Sequence, residues 1–338
     1  MAERGKPIRL SDVAERAKVS LATASRSLTG TAGVSPEHAE YVREVANSMG
    51  YVTNMHARSL AGRGESSIGL IVSEIRDPYF AEIATGVIEV ASESQRVVQI
   101  CQASDPKTVL AQISLLRAYR VGAIVLAGSG QVDPAVDAAA DAELASFQAS
   151  GGRVAVIGRH HLAADAVLPD NVAAGRSIGR HLLDLGHRRI AVIAGPATLN
   201  TVVDRLAGLR EVVGDSIVSV TNHPFSRAGG SEGAAEVLDT HPEATAIVAL
   251  SDVMALGAIA TLRARGISVP TMVSVVGFDD IPVAADVSPA LTTARLPMAE
   301  IGAAALRLTM LDPSPQKRRA SSAHELIVRE STGPARKQ

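Results

Sequence analysis

Tryptophan is absent from this 338-residue chain, cysteine occurs once, and tyrosine and phenylalanine number only four each. A single cysteine excludes an internal disulfide, and Cys101 sits in the apolar run VVQICQA, where a buried, inert thiol is expected rather than a nucleophile. No run approaches the roughly 18 uncharged apolar residues of a membrane span, and MAERGKPIRL has no apolar signal core, so a cytoplasmic chain is expected. The histidines, His160-His161 included, lack paired ligand spacing, and neither a metal nor another cofactor is expected. There is no G-x-S-x-G elbow and no P-loop. Asp279 and Asp280 are adjacent, so at a strand end they point to opposite sides and make a poor acid–base pair. The GSGQVD run at Gly128–Asp133 lacks the third glycine of a dinucleotide fingerprint. Enzyme function is therefore not expected.

What is present is a globular composition, with 46% apolar and 20% charged residues and a net charge of −2. The charge is uneven. Residues 1–63 hold nine Lys and Arg against six acids, a balance of +3, which leaves −5 on the remainder. A mildly basic head on an acidic body suits a specific binder of nucleic acid.

The head carries the most informative stretch, IRLSDVAERAKVSLATASRSLTG at Ile8–Gly30. Leu10, Val13, Ala14 and Ala17 make one apolar face of a two-turn helix. Lys18–Ser20 leave room only for a tight turn, and Ser20 is an N-cap for a second helix with Ala24 and Leu28 inward and Thr23, Ser25, Arg26 and Ser27 outward. Two such helices cannot close a core. Ser35-Pro36 starts a third, with Ala39, Val42, Ala46 and Met49 as its stripe and Gly50 at its end. The tight turn and polar outer face point to a helix-turn-helix DNA reader; a plain three-helix cap is the alternative.

The runs DVAERAKVSLATASRSLTG and VSPEHAEYVREVANSMGYVTNMHARSLAG closely resemble the headpiece of the LacI/GalR family of bacterial transcription repressors, over residues 8–62 and more loosely to about 332. The resemblance implies that the second helix enters the major groove of a palindromic operator, read by a homodimer. On this reading Ser20, Thr23 and Ser25 hold phosphates, while Leu21, Ala22 and Arg26 face base edges; Leu21 packing inward is the alternative. It also implies a hinge helix near Met55–Ala61, folding only on DNA, with Asn54, His56 and Ala57 at the DNA and Leu60 as a minor-groove wedge. A plain linker with a stray leucine is the alternative. No terminal heptads follow, so a dimer rather than a coiled-coil tetramer is expected.

From Ser67 the pattern becomes short Val/Ile-rich runs alternating with helical stretches: IGLIVSE, VVQICQA, GAIVLAG, RVAVIGR, AVLPD, RIAVIAG, AIVAL and VSVVGFD. Alternation of this kind predicts parallel sheets with right-handed crossovers, and so many runs predict two doubly wound halves with a cleft at the carboxyl ends of the strands. This is also the periplasmic-binding-protein-like core that the resemblance implies. The expected organisation is a headpiece at 1–53, a hinge at 54–64, a core at 65–330 and a tail at 331–338. Within the core the first half takes about 65–162 and 290–322, and the second about 163–289 and 323–332.

Cleft residues should sit on the loops after the strands. Asp77, Tyr79 and Phe80 follow the first run, placing a carboxylate and two scarce aromatics there. By resemblance, Thr201 lies on the glycine-proline loop and helix, Arg205 grips effector hydroxyls or carboxylates, Phe225 stacks on a ligand ring, Ser251 and Asp252 open a helix at the site, and Asp279 takes paired hydroxyls. Arg159 adds a polar contact or only lines a crossover. Alternatives remain for Arg205 and Asp252 as surface helix residues, Asp252 as an N-cap, and Phe225 as a core packer. Ser251 stands where many members carry asparagine, and Leu199 where purine-responsive members carry arginine. A sugar or polyol effector that releases the operator is the main expectation; a corepressor-dependent regulator and a sugar-binding sensor without DNA function are the alternatives.

Overall fold

The computed structural model describes residues 8–51 and 67–336, and divides into a unit up to Glu65 and a unit from Ser66. The expected hinge, with Asn54, His56, Ala57 and Leu60, lies outside the described residues.

The first unit is three helices, α1 (Leu10–Arg16), α2 (Leu21–Thr29) and α3 (Pro36–Ser48). Val13, Ala14, Ala17, Ala24, Val42 and Ala46 form its core. Ser20 and Ser35 accept from the backbone N–H of Thr23 and His38, so each cap begins its helix where the sequence places it. Gly30 closes α2 at φ +67°, a left-handed conformation that lets its N–H return to the Arg26 carbonyl.

The second unit runs β1 (Ile68–Val72), α4 (Pro78–Glu93), β2 (Val98–Gln102), α5 (Pro106–Ala118), β3 (Ala123–Ala127), α6 (Pro134–Ala149), β4 (Arg153–Ile157) and β5 (Asp165–Pro169). It continues α7 (Asn171–Asp184), β6 (Ile190–Ala194), α8 (Asn200–Val213), β7 (Ile217–Asn222), α9 (Arg227–Thr240), β8 (Ala246–Ala249), α10 (Asp252–Ala264), β9 (Ser274–Asp279), α11 (Val283–Asp286) and β10 (Thr292–Arg295). It ends with α12 (Met298–Met310), β11 (Arg319–Ser322) and β12 (Glu325–Ile327). One sheet has the order β11-β5-β4-β3-β1-β2 and the other β12-β10-β9-β8-β6-β7. Apart from the outer strands β11 and β12, the two orders are the same doubly wound pattern, which fixes a ligand crevice where the strand order reverses.

Two expected boundaries move. AVLPD forms β5 and pairs with β4 in the first sheet, so the first crossing follows Pro169, not residue 162. Thr292–Arg295 pairs with β9 in the second sheet, so the return follows Arg295 rather than preceding 290. A buried parallel strand reads the same in either sheet, and its membership depends on pairing that local sequence does not display. The expected tail is also tied down: Ser331 is fully buried, accepting from Val275 N at 2.8 Å, and Ala335 N donates to Leu185 O at 2.8 Å. Cys101 is half-buried, on the edge strand β2, and not fully enclosed as expected; burial still raises its thiol pKa.

Candidate functional site

On the headpiece, the outer face of α2 is set by its start. Thr23 N–H donates to Ser20 Oγ at 3.1 Å and the two hydroxyls lie 2.8 Å apart, so Ser20 and Thr23 are mutually engaged at the helix entrance. Leu21 is 55% exposed, and Ala22 and Arg26 are exposed beside it, while Ser25 is half-buried. Ser27, expected outward, is instead buried. Its hydroxyl donates to Thr23 O at 2.9 Å and its carbonyl accepts from Arg43 Nε at 3.5 Å, tying α3 to α2.

In the core, a cavity of about 120 Å³ lies at the carboxyl ends of strands from both sheets. The first half lines it with Ser73, Glu74, Asp77, Tyr79, Phe80, Gly128, Ser129, Ile157, Gly158 and Pro169, and the second with Leu199, Thr201, Arg205, Phe225, Ser251 and Asp279. Tyr79 and Phe80 meet edge to face at 5.0 Å, forming an apolar corner. Asp77 caps α4 by accepting from Tyr79 N at 3.0 Å. Burial raises its pKa, and it raises that of the Tyr79 phenol as well.

The second half contributes a buried charged cluster. Arg205 is 3% exposed and Asp279 4%. Arg205 Nη2 donates to Asp279 Oδ1 at 2.6 Å, Nη1 to Leu250 O at 2.6 Å, and Nε to Asn171 Oδ1 at 2.9 Å, while the guanidinium lies 4.0 Å from the Phe278 ring centroid. Burial pushes the Asp279 carboxyl up to about 7, against the lowering by Arg205. The backbone at Asp279 has φ +112° and at Asp280 φ +58°, so β9 ends in a strained turn that separates the two carboxylates. Asp280 meets Arg295 Nε and Arg329 Nη1, each at 2.7 Å.

Two expected cleft residues are elsewhere. Asp252 is fully buried and absent from the cavity lining: its oxygens accept from Ile281 N at 2.9 Å and Thr293 Oγ1 at 2.6 Å, which joins α10 to the turn after β9. Nor is it the N-cap; Ser251 caps α10 through Met254 N. Arg159 is exposed and paired with Asp204 at 2.7 Å, outside the lining. Sequence reasoning missed Asn171, which orients Arg205, and Ser129, which lies in the GSG run dismissed as a failed nucleotide loop.

The two halves touch across the cleft. Asn200 N donates to Gly130 O at 2.9 Å, its side-chain amide to Gln131 O at 2.9 Å and Arg159 O at 3.0 Å, and Thr201 N to Ser129 Oγ at 2.9 Å. Ser129 therefore serves as a helix cap from outside, since Leu199 at the N-cap of α8 has no side-chain cap to offer.

Comparison with known proteins assigns both regions to known families. Residues 9–54 match the family described as bacterial regulatory proteins, lacI family, and residues 180–332 match the periplasmic binding protein-like domain. The HTH-type transcriptional regulator DegA of Bacillus subtilis is 34% identical over 335 residues, covering 96% of this chain and 97% of that protein. The chain belongs to the LacI family. A LacI-family chain is a DNA-binding transcription regulator and not an enzyme. Among solved structures, a transcriptional regulator CelR–cellobiose complex superposes with TM-score 0.69 at 30% identity, covering 96% of this chain and 99% of that one. The lac repressor dimer bound to operator and the anti-inducer ONPF gives TM-score 0.83 at 23% identity, covering 97% and 100%, a likeness of fold.

Proposed function

We propose that this LacI-family chain is a cytoplasmic repressor that binds a palindromic operator as a homodimer and is released by a sugar or polyol held in the cleft between the two sheets. The observation that carries the ligand class is the cavity itself, where an aromatic, hydroxyls and a buried arginine–carboxylate pair converge. Vicinal hydroxyls need paired donors and acceptors, and a ring's C–H face needs an apolar plate. Phe225 supplies that plate, packed so closely on Gly195 that a Cβ there would lie 2.4 Å from its ring. The CelR relative, whose structure holds cellobiose, supports the same class.

At the DNA, Leu21 and Ala22 meet thymine methyls and Arg26 a guanine, while Ser20, Thr23 and Ser25 hold phosphates. Asn54, His56, Ala57 and Leu60 add hinge contacts. The dimer face is the edge of the first sheet, where Ile88, Val97, Ile100, Leu115 and Tyr119 on α4, α5 and around β2 are exposed. Two headpieces on a dyad read an inverted repeat, and ligand couples to DNA by favouring one arrangement of the halves.

The test is selection of DNA from a random pool, followed by titration of the winning sequence with and without each sugar that raises the unfolding temperature. An inverted repeat whose affinity falls with a stabilising sugar is expected. No DNA selected, or a bound sugar with unchanged DNA affinity, overturns the reading. Arg26→Ala should lose about 1–3 kcal/mol at one base position per half-site. Leu60→Ser should weaken operator binding while sugar binding is kept.

A further inference from the structure

Building on the sugar-cleft reading, we propose that this cleft selects by charge: it takes a neutral or amine-bearing sugar and excludes phosphorylated and uronic sugars. Charged groups around the cavity are few. Arg205 is the one cation among the described lining residues, and its nearest carboxylate, Asp279, already takes one of its donors at 2.6 Å. Two more of its five N–H groups are spent on Leu250 O and Asn171 Oδ1. An incoming phosphate would find a guanidinium whose charge is matched and which has one N–H left on each terminal nitrogen, a weaker grip than the open fork that bidentate recognition of an anion uses.

Across the cavity, the half-buried Glu74 is matched by the exposed Arg76 at 3.2 Å. Asp77 has no ion-pair partner among the described residues; one oxygen accepts from Tyr79 N, and the carboxylate lies in a half-buried corner beside Tyr79 and Phe80. Leu199 adds an apolar wall rather than a second cation. With Asp279 ionised against Arg205, the cavity is net acidic by one carboxylate that has no ion-pair partner among the described residues. A neutral polyol gains an acceptor there, and an ammonium gains a counter-ion. A second anion meets like charge in a place water screens poorly.

The test is thermal unfolding and calorimetric titration of the full chain with matched sets: glucose, glucosamine, glucose 6-phosphate and glucuronate, with the galactose, ribose and cellobiose counterparts. The neutral or amino member of at least one set should bind, and its phosphate or uronate should bind at least about 100-fold more weakly. Asp77→Asn, which keeps a capping side chain, should shrink that ratio by about tenfold; a purely structural Asp77 would leave the ratio unchanged and overturn its assigned part. Tighter binding of the anionic member overturns the charge proposal and leaves the sugar cleft standing. Silence of every carbohydrate, charged or not, overturns both.

Discussion

The two halves of the core share a strand order but not a chemistry at the cleft. The first half offers hydroxyls, two aromatics and the half-buried Asp77 at strand ends and the start of α4, open to the cavity, whereas the second presents Arg205 and Asp279 locked into a buried network with Asn171 and Leu250. Behind that network a second carboxylate, Asp252, is equally buried and satisfied by Ile281 N and Thr293. A common topology therefore places the crevice, while side chains at the strand ends decide which wall is rigid. The second half is a preorganised wall, and the first can rearrange around a ligand at less cost.

The contrast is broken most directly by removing one carboxylate from each wall. Asp279→Ala leaves Arg205 buried without its counter-charge and should destabilise the protein by about 3–5 kcal/mol. Asp77→Asn keeps its cap and should cost under about 1 kcal/mol. Chemical denaturation of both variants checks this; equal losses would end the distinction between the walls.

Acidity tests the same wall. An unfolded Asp279 titrates near 3.8, while burial lifts the folded group to about 7. Between those values the native state binds more protons than the unfolded state, so stability should fall as pH rises from about 4 to 7. Burial also raises Asp252 and Asp77, which adds the same sign. Asp279→Asn should flatten part of the slope, by an amount on the order of a few kcal/mol across the window. An unchanged slope would mean that Arg205 keeps the carboxylate ionised throughout.

How much of this was legible in sequence follows the same division. Helix starts announced themselves because a capping serine next to a proline or an apolar stripe acts locally, as at Ser20 and Ser35. Apolar runs revealed the central strands. Thr292–Arg295 did not read as a strand, since its buried threonine hydroxyls find partners far along the chain: Thr292 Oγ1 donates to Arg329 O and Thr293 Oγ1 to Asp252 Oδ1. The same distance dependence hid Asn171 and sent Asp252 to the wrong role: its position at a helix start is local, but its acceptors face a turn 29 residues on. Gly208 marks another silent constraint, where a Cβ would sit 1.9 Å from Val172 O so that α8 can lie against α7.

The smallest expected effect probes the seam between the walls. The helix that carries Arg205 begins at Leu199, which cannot cap it, and the missing acceptors come from the opposite half: Ser129 Oγ for Thr201 N and Gly130 O for Asn200 N. Closure of the cleft therefore completes a helix terminus, and opening returns those N–H groups to water. Ser129→Ala should lower hydrogen-exchange protection at Thr201 by about fivefold, the equivalent of a lost cap near 1 kcal/mol, with little change in global stability because the exposed amide finds water. Ser226→Ala removes the cap of α9, which lies wholly within the second half, so its loss should appear at Gly229 and leave Thr201 protected. If Ser129→Ala leaves Thr201 protection intact, the two halves do not share a helix cap and the cleft is held closed by other contacts, with the exposed Arg159–Asp204 pair the next to remove.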